Sequence, residues 1–144
     1  MNTEKKFCFS HESGNDIFLF TLSNNLGTEV QISNYGALIT SFMFLDKKGD
    51  PNDIVLGFEN IQDYLSESYL SNYPFIGAAC GRYANRIKDA RFKIDNIEYK
   101  LTPNSGNDIL HGGNNGFDKK IWEPITTDQE SSSGLTLKYI RKEH

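Results

Sequence analysis

Cysteine, basic patches, helical periodicity and long apolar runs are all scarce in this sequence, and each shortage removes a class of protein. The two cysteines, Cys8 and Cys80, have neither CxxC spacing nor clustered histidines. They are expected as reduced, partly buried thiols, not as a disulfide framework or a metal site. No apolar stretch approaches the roughly 20 residues needed to span a bilayer. The opening MNTEKKFCFSHESGND lacks the apolar run of a signal peptide, which makes cytoplasmic the default. The 15 lysines and arginines are scattered among 19 acids, so no basic stripe points to nucleic acid and no polybasic cluster to a membrane surface. A nucleophile elbow, an HExxH metal pattern and a phosphate loop are absent as well.

What is present fits one all-β domain. The chain has 144 residues, 38% of them hydrophobic, with ten phenylalanines and seven tyrosines to fill a core. Short alternating or apolar runs recur: DIFLFTL, TEVQIS, ALITSFMFL, DIVLGF, FKIDNIEYKL and GLTLKYI. Turn clusters rich in Gly, Asn, Asp and Pro separate them: SNNLGT, DKKGDPND and TPNSGND. Only ENIQDYL reads as a short helix. Many short strands with frequent turns predict an antiparallel sandwich or barrel.

The segment from Phe92 to Leu101 predicts a hairpin about a two-residue Asp95-Asn96 turn, because both residue types tolerate the positive φ of a type I′ turn. That register pairs Ile94 with Ile97 and Phe92 with Tyr99 on one face, which is expected to be buried. Lys93 and Glu98 then lie opposite each other on the other face. At the other end of the chain, SSSGLTLKYIRKEH is a loop and a strand-like run that stops on charged residues, as though cut just after a strand.

Two segments carry candidate chemistry. In CGRYANRIKDARF, Arg82 and Arg86 share a face if the backbone is extended, and Asn85 faces the other way. Asn85 and Arg86 touch one ligand together only at a strand end, a bend or a bulge. Arg86 offers a fork of donors for oxygen atoms, or else it is half of a structural ion pair. For Arg82 a structural role, such as an ion pair, is expected. In ILHGGNNGFDKKIW, Gly112, Gly113 and Gly116 let backbone approach a ligand, and His111 offers a donor or an acceptor. Phe117 and Trp122 add rings suited to the apolar face of a sugar. The bland alternative is a surface loop in which His111 satisfies backbone groups. Asp50 and Asp53 read as a solvated turn and not a calcium loop, and His11 and His144 as solvated.

Taken together, NYGALITSFMFLDKKGDPNDIVLGFENIQDYL, YPFIGAACGRYANRIKDARFKIDNIEYKL and NSGNDILHGGNNGFDKKIW resemble the aldose 1-epimerase, or galactose mutarotase, family. The resemblance covers most of Leu26 to Trp122. Small departures are Asp89-Ala90-Arg91 and Asn96, where glycines are common in the family; they are expected to alter only turns. The resemblance implies an antiparallel β-sandwich with a carbohydrate cleft on a concave sheet face. It implies interconversion of the α and β anomers of aldoses such as galactose and glucose, with no metal and no organic cofactor. A carboxylate takes the anomeric hydroxyl proton while a histidine protonates the ring oxygen; the ring opens, the aldehyde carbon rotates, and closure gives either anomer.

Carried over by motif, Asn85 and Arg86 fall on the family's substrate-contacting Asn-Arg pair. His111 falls on an auxiliary catalytic histidine that bonds the sugar near the ring oxygen. The family's acid histidine and base glutamate lie in a later part of a protein well over twice this length, and His144 is not the missing acid. Residues 1–144 are therefore expected to be the N-terminal portion of one mutarotase sandwich. The partners expected are an aldose and, through uncovered sheet, the missing C-terminal half or a second copy. Two other readings stay open: a non-catalytic carbohydrate-binding module, and a structural partner that completes a sheet with another chain.

Overall fold

Short polar turns set the main sheet. In the computed structural model, which describes residues 2–140, five strands follow one another as an antiparallel meander in chain order. They are β1 (Asn2–Ser10), β2 (Asp16–Ser23), β3 (Glu29–Ser33), β4 (Ile39–Leu45) and β5 (Pro51–Asp53). Between β2 and β3 the Asn24 carboxamide accepts the amides of Leu26 and Thr28 at 2.9 and 3.0 Å. Between β4 and β5 the Asp46 carboxylate does the same for Lys48 and Asp50, at 2.7 and 3.0 Å. These are side chains imitating a backbone turn, which is why Asn and Asp cluster there.

The run DIVLGF does not continue as a strand. The Asp53 carboxylate accepts the Phe42 and Val55 amides at 3.0 and 3.1 Å, so it takes the donor that a longer β5 needs. The chain leaves the sheet there, with Ile54 and Leu56 exposed. ENIQDYL forms a 3-10 turn, Ile61–Leu65, followed by the helix α1 (Glu67–Asn72). Ser66 caps α1 by accepting the Tyr69 amide at 3.3 Å, and Tyr73, in the left-handed region, ends it. This element lays Ile61, Tyr64 and Tyr69 against Ile17, Tyr35 and Leu38, and that cluster is the core.

Three two-stranded pairs complete the described residues. They are β6 (Arg86–Ile87) with β9 (Ile109–Leu110), β7 (Arg91–Ile94) with β8 (Ile97–Lys100), and β10 (Glu123–Asp128) with β11 (Ser133–Lys138). The hairpin of β7 and β8 has the predicted register, Phe92 opposite Tyr99, Lys93 opposite Glu98 and Ile94 opposite Ile97. Asp95 and Asn96 have φ of 49° and 64°. Its apolar face is not buried, contrary to expectation: Ile94 and Ile97 are 54% and 59% exposed, because no layer of the described residues packs over them.

Two smaller expectations also change. Cys8 is half-buried, but Cys80 is exposed at the end of its loop; both thiols are free. His11 is not simply solvated, since its ring stacks on that of the buried Tyr35 at 5.9 Å between centroids. His144 lies outside the described residues. No helix among the described residues is long and apolar enough to cross a membrane.

Candidate sugar-binding site

The two motif segments meet. β6 and β9 pair antiparallel with Arg86 opposite Leu110. The Asn104 side chain extends this pairing, donating to the Leu110 carbonyl at 3.0 Å and accepting its amide at 2.7 Å. Phe117 donates its amide to the Gly81 carbonyl at 3.1 Å. Gly112, at φ 90°, sits so near that carbonyl that a Cβ would overlap it. The glycine is required by close approach between the two segments.

At the end of this small ladder Asn85 and His111 lock together. Both have left-handed backbone, φ 63° and 51°. The His111 amide donates to the Asn85 carbonyl at 3.0 Å, and the Asn85 amide donates to His111 Nδ1 at 3.1 Å. An Nδ1 that accepts a backbone N–H leaves the proton of the neutral ring on Nε2. The imidazole therefore keeps a donor at its far edge. Asn85 lies at the bend immediately before β6, the geometry under which it and the adjacent Arg86 serve one ligand. Asn85 and Arg86 are exposed and His111 is half-buried.

Arg86 has no carboxylate within ion-pair distance among the described residues. It borders a cavity of about 550 Å³ with Tyr83, Ile87, Lys88 and Phe92. That volume is in the usual range of small-molecule sites. Neither Asn85 nor His111 lines it. Arg82 makes no ion pair among the described residues; its contact is with a ring, the guanidinium lying 5.4 Å from the Phe117 centroid.

Behind His111 is a layer that the sequence reading overlooked. The Phe75 ring meets the imidazole at 4.8 Å between centroids with planes 61° apart. Tyr73 touches Phe75 at 4.7 Å, and the Lys119 ammonium lies 4.1 Å from the Tyr73 centroid and 5.4 Å from that of Phe75. Lys119 is paired with the Asp118 carboxylate, which is fully buried. Burial, with Asp118 beside it, pushes the Tyr73 phenol far above the ordinary tyrosine value. The residues were visible as YPFIGAA and GFDKK, but nothing in either string tells that they face each other.

The loop carrying His111 is fixed to the main sheet by backbone bonds. Trp122 donates to the Asn34 carbonyl at 2.8 Å and Gly36 to the Lys120 carbonyl at 2.7 Å. Asn34 in turn accepts the Phe18 amide through its side chain at 2.8 Å. The site therefore rests on β2 and on the turn after β3. Among the described residues no group of three or more His, Cys, Asp or Glu is placed to hold a metal ion.

Comparison with known proteins decides the family. A family model for aldose 1-epimerase matches residues 19–144. The chain belongs to the aldose 1-epimerase family. It is 44% identical over 95 residues to galactose mutarotase of Bos taurus, which takes in 66% of this chain and 26% of the bovine protein. It is 40% identical over 111 residues to the galactose mutarotase of Homo sapiens, 77% of this chain and 31% of that one. The chain thus spans about a third or less of the curated relatives it matches. The structure superposes on galactose 1-epimerase from Lactobacillus acidophilus NCFM with a TM-score of 0.77 at 25% identity, covering 94% of this chain and 37% of that one. The all-β antiparallel architecture is thus that of the aldose 1-epimerases, as its strand pattern and motifs led one to expect.

Proposed function

We propose that this aldose 1-epimerase chain supplies one wall of a sugar cleft, with Asn85, Arg86 and His111 as its polar contacts. Residues 1–144 on this reading are the N-terminal portion of a single sandwich domain. The reaction of the whole is interconversion of α and β anomers of aldohexoses such as galactose and glucose. One observation carries the reading: the Asn85 amide occupies His111 Nδ1, which leaves the proton of the neutral ring on Nε2, and the residue after Asn85 is an arginine with no carboxylate within ion-pair distance among the described residues. A donor and a cation together suit an oxygen that gains negative charge as a ring opens. His111 in this role is auxiliary. The proton-donating acid and the base act from residues outside this chain, which alone binds sugar without robust turnover.

Polarimetry on freshly dissolved α-D-galactose and α-D-glucose tests the catalytic half of the proposal. The 144-residue chain is expected to match buffer alone; robust, saturable turnover sinks it. Titration with galactose tests the binding half. Arg86→Ala and His111→Ala each remove a hydrogen bond to the sugar, one of them charged, and are expected to weaken affinity about tenfold or more for Arg86 and about threefold or more for His111. Affinity unchanged by both substitutions overturns the assignment of the wall.

A further inference from the structure

We propose that Phe75, itself held by the Lys119–Asp118 pair, is a positioning residue for His111. It sets the plane of the imidazole so that Nδ1 meets the Asn85 amide. Any effect on sugar binding rests on the proposed function; the positioning does not.

A histidine side chain turns about two bonds, and a single 3.1 Å hydrogen bond at Nδ1 does not by itself prevent rotation of the ring plane. Phe75 supplies the second constraint, a ring contact at 4.8 Å with planes 61° apart. Edge-to-face ring pairs are attractive because the positive edge of one meets the negative face of the other. Phe75 reaches this place only through a left-handed backbone, φ 56°, which a bulky residue adopts at an energetic cost.

Lys119 offsets that cost. Its ammonium faces the Tyr73 ring at 4.1 Å and the Phe75 ring at 5.4 Å, and the Asp118 carboxylate fixes it from the side of the core. Asp118 is 1% exposed, so the ammonium is tied to an immobile anion and not to a surface chain. Tyr73 closes the arrangement, packing on Phe75 at 4.7 Å and on the core residue Tyr69 at 5.4 Å. The buried pair thus reaches His111 through one intervening ring. None of these side chains has to touch a sugar to matter.

The test reads the hydrogen bond itself. Hydrogen exchange at the Asn85 amide, measured by NMR on the 144-residue chain, reports whether Nδ1 is in place. The His111 amide, bonded to the Asn85 carbonyl at 3.0 Å, is the internal control for local opening. In Phe75→Leu the Asn85 amide is expected to exchange about three- to tenfold faster while the His111 amide does not follow. Phe75→Tyr, which keeps the ring, is expected to restore it. The double variant Asp118→Asn/Lys119→Gln removes both charges without leaving a buried carboxylate unpaired, and is expected to shift the Asn85 amide in the same direction. Unchanged Asn85 exchange, or a parallel rise at both amides, overturns the proposal. Should these variants fail to fold, the wild-type chain still decides: cross-relaxation between the His111 and Phe75 ring protons is required, and its absence ends the argument. Galactose titration separates the two readings. Faster Asn85 exchange together with affinity indifferent to His111→Ala leaves positioning intact and removes the sugar contact; the reverse pattern removes positioning alone.

Discussion

Asp89, Ala90 and Asn96 all have left-handed backbone, with φ of 52°, 46° and 64°. An L-residue in that region is strained, least at Asn and Asp and most at Ala90. Ala90 is buried, and its conformation costs about 1–2 kcal/mol for an L-residue. Glycine there relieves the strain but gives up a buried methyl, about 0.8 kcal/mol, and adds chain entropy of about 0.4–1 kcal/mol to the unfolded state. Ala90→Gly is therefore expected to change stability by less than about 1 kcal/mol. Ala90→Val, which adds bulk and a branched Cβ to the same backbone, is expected to lose about 2 kcal/mol or more. Urea midpoints of the two variants check this pair, and equal midpoints contradict it.

Among the elements, the hairpin of β7 and β8 and the short strand β5 make contrasting predictions. The hairpin's apolar row, Phe92, Ile94, Ile97 and Tyr99, is a third or more exposed. Replacing Ile94 and Ile97 by threonine keeps β-branched side chains, so stability should move by only about 0.5 kcal/mol. Self-association in sedimentation velocity should fall, since an exposed apolar row favours contact with another copy; no fall would mean that another surface drives it. At β5, hydrogen bonds from the Phe42 amide first, and also from Ser41 and the Val55 amide, hold the Asp53 carboxyl below its ordinary value. A depressed value in the folded chain gives stability that is present above the ordinary carboxylate pKa of about 3.9 and lost as pH falls through the folded value. Asp53→Ala is therefore expected to be less stable than wild type near neutrality, with the two curves converging in acid. Parallel curves across that range contradict the assignment.

Taken whole, the molecule shows why some of it was legible in advance. Local chemistry sufficed where a feature closes on itself: the Asp95-Asn96 turn fixed the hairpin register, and the Asn24 and Asp46 turns separated β2, β3, β4 and β5. It failed where an outcome depends on distant chain. The burial of the hairpin face depends on a layer that local pattern does not supply, and β1, with its EKK run, shows no clean alternation. The two-residue strands β6 and β9 are too short to have a period, and became strands only by finding each other. In the same way motif matching nominated Asn85, Arg86 and His111, while Phe75 and Lys119 come from separate segments whose meeting no single string records. The aromatic core yields a prediction on this scale. Burial first, and for Tyr35, Tyr69 and Tyr73 also the Asp118 charge, raises the phenols of Tyr35, Tyr64, Tyr69 and Tyr73, with Tyr69 pushed up to about 12. Raised values give stability that is full below the ordinary tyrosine pKa of about 10 and lost as pH rises through the folded ones. Ultraviolet titration should show these phenols ionising late and together with alkaline unfolding; four phenols released near pH 10 in a still-folded chain would contradict it.

Trp122 is the single tryptophan of the chain. Its amide is tied to Asn34 at the main sheet, its indole N–H donates to the Phe117 carbonyl at 3.2 Å, and its ring packs on Phe117 and Tyr139. Emission from this one fluorophore, read without any label, therefore registers whether the segment bearing His111 is seated on the sheet, and can follow its docking during refolding or on addition of a sugar.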